Sequence, residues 1–173
     1  MNEDNVLIYS EQQKFSLLLR WFVYISMALA ALLSIMSVSQ TASGQASPNI
    51  LEILIGILVG VGVPIAVAAL FVSMRFETKV RSDGLYVRYY PFHIHFRKFS
   101  ADDLSECYAR QYKPIREYGG WGIRCGLFGK GKAYNVTGNM GVQLVFKNGK
   151  RLLIGSQKAD KLGEAIRQIM ESG

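Results

Sequence analysis

Hydrophobic and polar positions divide the chain into three regimes. Ile53 to Met74 is a run of twenty-two residues without a charge, closed by Arg75. At about 1.5 Å per residue, a helix of that length covers roughly 33 Å, enough for the ~30 Å hydrocarbon core of a bilayer. Before it, Trp21 to Val38 is an uncharged run of eighteen residues led by Trp21, Phe22 and Tyr24. These aromatic types are favoured at membrane–water boundaries. A secretory leader would be basic at its start, with an apolar core of about 7–15 residues. Here three acids precede a longer core, so an uncleaved first helix fits better.

After Arg75 the pattern alternates. Glu77 to Arg81, Asp83-Gly84 and Leu85 to Tyr90 read as a hairpin with a favoured turn dipeptide. Pro91 interrupts it, and Phe92 to Lys98 reads as a third strand. Phe92, Ile94 and Phe96 would form its buried face, with His93, His95 and Arg97 facing solvent. Ser100 to Asp103 reads as one capped helical turn. Strands are expected over Leu104–Tyr112, Trp121–Cys125, Lys132–Val136 and Gly141–Phe146. Lys147-Asn148-Gly149-Lys150 is then a turn into Leu152–Ile154. From residue 158 to 171, Leu162, Ala165, Ile166, Ile169 and Met170 recur at helical spacing.

The expected architecture is a membrane α-hairpin of two transmembrane helices, followed by a small, mostly-β barrel capped by a C-terminal helix. Its segments are a polar stretch 1–20, a helix 21–38, an extracytoplasmic loop 39–49, a helix 50–74 and a β-domain 75–173. Gly56 and Gly60 on the second helix, and Ser26, Ala30 and Ser34 on the first, would let the backbones pack closely, within the hairpin or between copies. Pro64 should bend the second helix.

Charge sharpens this picture. Residues 75–173 carry eighteen Lys/Arg against nine Asp/Glu, whereas residues 1–74 are slightly acidic. Lys and Arg lie before the first helix and after the second, with none between. The positive-inside rule therefore places both termini in the cytoplasm of a multi-pass cell-membrane protein. A basic domain there can meet anionic lipid head groups, and the same bias is accounted for by insertion alone. No nucleic acid is expected as a partner.

Cys107 and Cys125 form no metal-ligand spacing and should be reduced, packed thiols. Gly126 to Lys132 fits G-x-x-x-x-G-K, but Ala133 stands where the P-loop needs Ser or Thr, and no helix pattern follows. Neither metal nor cofactor is expected. The densest chemistry lies in residues 116–135, where Arg116, Tyr118, Trp121, Arg124, Lys130, Lys132, Tyr134 and Asn135 are the candidate binding surface. Its glycines can be bulges and tight turns beneath packed aromatics. They can equally offer backbone amides to a phosphate or other anion.

The turns and terminal helix together resemble bacterial pleckstrin-homology-like domains that follow two membrane helices. Nearly the whole chain is similar to a family of small bacterial membrane proteins without assigned activity. The resemblance is carried by Arg81-Ser-Asp-Gly-Leu-Tyr-Val-Arg88, Tyr90-Pro-Phe92, residues 116–124, Gly131 to Asn135 and Leu153-Ile-Gly155. It implies a fold and a topology, but no catalytic residues. The expected function is a non-enzymatic, membrane-anchored binding or scaffolding module. The alternatives are an accessory subunit, with a membrane protein or a second copy as partner, and an enzyme acting on a membrane-proximal phosphorylated substrate through Arg124, Lys130 or Lys132.

Overall fold

The computed structural model describes residues 6–44, 50–126 and 129–172. It separates into a β unit, Met1–Phe15 with Arg75–Gly173, and a helical unit, Ser16–Met74. Of the expected loop 39–49, residues 45–49 lie outside the described residues.

The helical unit contains α1 (Leu17–Gly44), α2 (Ile50–Ile57) and α3 (Val63–Ser73), with a π-helical turn Leu58–Gly62 between the last two. The proline ring at position 64 would meet the carbonyl four residues back and leaves it without an amide donor, and the wide turn lies over that gap. Gly60 in this turn is buried against α1: a β-carbon there would lie 2.6 Å from the Ser34 Cβ. The small residues at 34 and 60 thus serve close packing within the unit. Among the described residues, only Ile50–Ser73, 24 residues, is long and apolar enough to cross a membrane. The other apolar stretch, Arg20–Met36, falls short. The expected pair of transmembrane helices is therefore corrected to one candidate span. In α1 the polar residues from Ser39 onward belong to the same helix as the apolar stretch, so its length is not all apolar.

The β unit begins earlier than the pattern suggests. Residues Leu7–Gln13 form β1, which pairs antiparallel with β2 (Arg75–Arg81), Gln13 opposite Phe76 and Leu7 opposite Arg81. Then β3 (Gly84–Tyr90) and the short β4 (Arg97–Phe99) complete a sheet of order β1-β2-β3-β4. A second sheet, order β5-β8-β9-β7-β6, holds β5 (Leu104–Gln111), β6 (Gly122–Cys125), β7 (Lys132–Asn135), β8 (Met140–Phe146) and β9 (Arg151–Gly155). Residues Pro114–Tyr118 form α4, and Ala159–Glu171 form α5.

The expected barrel is corrected as well: two separate sheets are present, and no strand ladder joins them among the described residues. After β4, a 3₁₀ turn at Ala101–Asp103 carries the chain away to pair β5 with β8. Side chains alone bridge the sheets, including Phe76 with Tyr134 at 6.4 Å and Phe99 with Phe146 at 5.7 Å between ring centres. Helix α5 packs Leu162, Ala165, Ile166 and Ile169 against β5, β8 and the first sheet. The Cys107 thiol lies 3.8 Å from the Gly163 carbonyl of α5.

A second cluster, Tyr112, Tyr118, Ala133 and Leu153, covers the opposite face of the five-stranded sheet. Ala133 and Tyr134 point to different faces because successive strand residues alternate.

β1 is fastened by polar contacts. The Gln13 amide donates to the Gly155 carbonyl at 2.8 Å. Glu11 accepts from the Ser156 hydroxyl at 2.5 Å and the Gln157 amide at 2.9 Å. Glu11→Ala should therefore cost about 1–3 kcal/mol, since three donors, the Tyr9 hydroxyl at 2.7 Å included, lose a charged acceptor. Leu162→Asp should cost several kcal/mol by burying an unpaired charge. Chemical denaturation of the β unit checks both, and an unchanged midpoint in either variant contradicts this packing.

Candidate functional site

The turn between β8 and β9 is closed by the Phe146 amide donating to the Lys150 carbonyl and by the Lys150 amide donating to Asn148 Oδ1. Gly149 takes φ +77° there. This turn, β4 and the start of β7 enclose a cleft of about 970 Å³. Register explains who meets there. Phe99, Lys98 and Arg97 pair with Leu85, Tyr86 and Val87, while Lys132 pairs in parallel with Leu152. Gly131 (φ +80°) permits that approach: a β-carbon on it would lie 2.1 Å from the Arg151 carbonyl. The cleft therefore has an apolar wall of Phe99, Phe146 and Leu152, with a rim of Arg97, Lys98, Lys132, Lys150 and Arg151.

Two of these cations are engaged. Arg97 donates to the Tyr134 hydroxyl at 3.1 Å. The Lys98 ammonium lies 2.7 Å from Asp83, outside the cleft lining. Burial pushes the Asp83 carboxyl up, but bonds from Lys98 and Tyr86 outweigh it and hold the group below its ordinary range. Lys132, Lys150 and Arg151 have no acidic partner among the described residues. The lining contains one carboxylate, Asp103. Like charges converging without counter-charges repel one another and raise the local concentration of anions.

The candidates from the sequence are divided by the fold. Lys132 and Tyr134 enter the cleft. Tyr118 and Asn135 are buried in the opposite-face cluster. There Arg110 donates to the Tyr118 hydroxyl at 3.2 Å, and Asn135 donates to the Tyr112 hydroxyl at 3.1 Å. Trp121 is 39 % exposed, its indole donating to the Gly138 carbonyl at 3.0 Å. Arg124 donates to the Trp121 carbonyl, Lys130 pairs with Glu117 at 3.3 Å, and Arg116 is exposed on α4. The stretch is thus spread over both faces of its sheet. Arg97, Lys98, Lys150 and Arg151 were overlooked because distant strands bring them to Lys132; the turn Lys147–Lys150 was read for its geometry and not its charge.

Gly126 to Lys132 leads into β7 and not a helix; Leu127 and Phe128 lie outside the described residues. Cys125, expected to pack as a small hydrophobe, is exposed and lines the cleft. Cys107 is set back behind α5, and burial pushes its thiol up to about 11. At neutral pH, iodoacetamide should modify the exposed Cys125 quickly and the half-buried Cys107 far more slowly. Peptide mass spectrometry checks this, and equal rates contradict the burial of Cys107.

Glu117 braces the segment beside the cleft. Its side chain is 13 % exposed and accepts from the Lys113 amide at 2.8 Å and from Arg110 at 3.0 Å. Burial disfavours its charge, but the Lys113 amide, Arg110 and Lys130 prevail and lower the carboxyl from 4.5 to about 2. A depressed folded-state value stabilises above the unfolded value and is lost as pH falls toward the folded one. Between about pH 4.5 and 2, the wild type should lose more stability than Glu117→Gln, as read from urea midpoints. Parallel losses would contradict the role of Glu117.

Fold and site define a two-unit protein: an apolar helical unit, and a two-sheet β unit with a basic cleft. The chain belongs to a family of unknown function, DUF6141, whose model matches residues 3–172. No curated protein matches it.

Proposed function

We propose that this protein is a non-enzymatic, membrane-attached binding module whose β unit captures a multiply charged anion in the cleft between its sheets. The observation that carries this reading is the convergence of Lys132, Lys150 and Arg151, unpaired among the described residues, on an apolar wall. Binding is favoured over catalysis by the rest of the lining. Its carboxylate, Asp103, and its thiol, Cys125, have no side-chain hydrogen-bond partner among the described residues to ready them for proton transfer or attack.

Membrane attachment is supported by Ile50–Ser73 and by the apolar side chains that α1 leaves exposed, Phe22, Ile25, Leu29 and Leu33 among them. Because β1 pairs with β2, the helical unit starts and ends at neighbouring strands. The distribution of Lys and Arg favours the cytoplasmic side for the β unit and the termini.

The test uses full-length protein in nanodiscs of neutral lipid, with inorganic triphosphate as the probe. Calorimetry should detect binding that weakens as salt rises. K132A/K150A/R151A should weaken it about a hundredfold, at roughly 1 kcal/mol per lost charge. If lipid head groups are the natural source of the anion, nanodiscs containing anionic lipid will compete with triphosphate; a soluble source predicts no competition. Equal binding by wild type and the triple variant overturns the reading.

A further inference from the structure

The segment Tyr90–Phe96 does not extend β3 into a long third strand. The His93 amide turns back to donate to the Tyr89 carbonyl at 2.8 Å. This changes the expected facing in part: His95 and Arg97 are exposed as expected, but His93 is not. The His93 ring turns inward, edge-on to Tyr134 at 5.7 Å, and its Nδ1 is buried with no hydrogen-bond partner among the described residues. Phe96 is held under Arg88 at 4.5 Å and Lys79 at 5.0 Å. Phe92 and Ile94, expected to be core, are 59 % and 71 % exposed. The loop is anchored at His93, between the two large apolar side chains that it holds out to solvent, and at Phe96 beyond them.

Its place in the sheet indicates what covers them. Tyr90 pairs with Arg75, and only Met74 separates Arg75 from Ser73, the last residue of the apolar helix. The end of the sheet that bears this loop is therefore joined to the apolar helix through one intervening residue of chain. The same end carries Lys14, just beyond β1, and Arg75, whose guanidinium lies 5.0 Å over the Tyr90 ring. Apolar tips among aromatic and basic side chains are the composition that settles at the boundary between head groups and acyl chains. The cleft, by contrast, lies toward the other end of the strands, with Phe99 opposite Leu85.

We infer that Phe92 and Ile94 are a lipid-inserting tip, docking the β unit on the surface of the bilayer that holds its helix. The inference rests on the membrane reading above, and the experiment separates the two. Full-length protein carrying C107A and C125S is labelled with an environment-sensitive fluorophore at I94C, L58C or N148C, one site at a time. Each form is reconstituted in phosphatidylcholine vesicles with nitroxide-bearing lipids. The expected result is blue-shifted emission at residue 94 quenched by nitroxides near the head groups. Residue 58 should be quenched by deep nitroxides, and residue 148, in the turn at the cleft, should stay water-like. Quenching at 58 with water-like emission at 94 overturns the lipid-inserting tip and leaves the membrane reading standing. Silence at both 58 and 94 overturns both.

Discussion

The structure depends on the antiparallel pairing of β1 with β2. It joins two pieces of sequence separated by the helical unit, and every later strand of the first sheet is added to that pair. Glu11 and Gln13 extend the tie to the second sheet and to the chain just before α5. The β unit is therefore assembled from both sides of the helical unit.

Within the β unit, electrostatics divide by burial. On the outer face of the five-stranded sheet, Arg110, Lys130 and Glu117 form a compact ionic group in which the cations share one carboxylate. Around the cleft, Lys132, Lys150 and Arg151 remain uncompensated. Arg110 and Lys130 thus share one carboxylate, whereas three cations of the cleft have no acidic partner among the described residues.

Much of this fold was legible from the strand alternation, the Asp83-Gly84 and Asn148-Gly149 turns, and the apolar stripe of α5, because each is a local signal. Strand β1 was not, since Leu7–Gln13 is polar and acquires its buried positions only by pairing across the helices. The third strand misled for a related reason: Phe92, Ile94 and Phe96 alternate correctly, but the turn after Tyr89 withdraws them from the ladder. For the site, Lys132 and Tyr134 could be selected from composition. Arg97, Lys150 and Arg151 belong with them through strand register, which a single sequence does not display.

The anion-binding reading is tested most directly at Cys125, whose thiol lines the cleft. The measurement is its rate of alkylation by iodoacetamide in full-length protein, with and without saturating triphosphate, in neutral-lipid nanodiscs. Occupancy of the cleft predicts a several-fold slower rate in the wild type and no slowing in K132A/K150A/R151A. A rate that triphosphate leaves unchanged in the wild type would contradict the account.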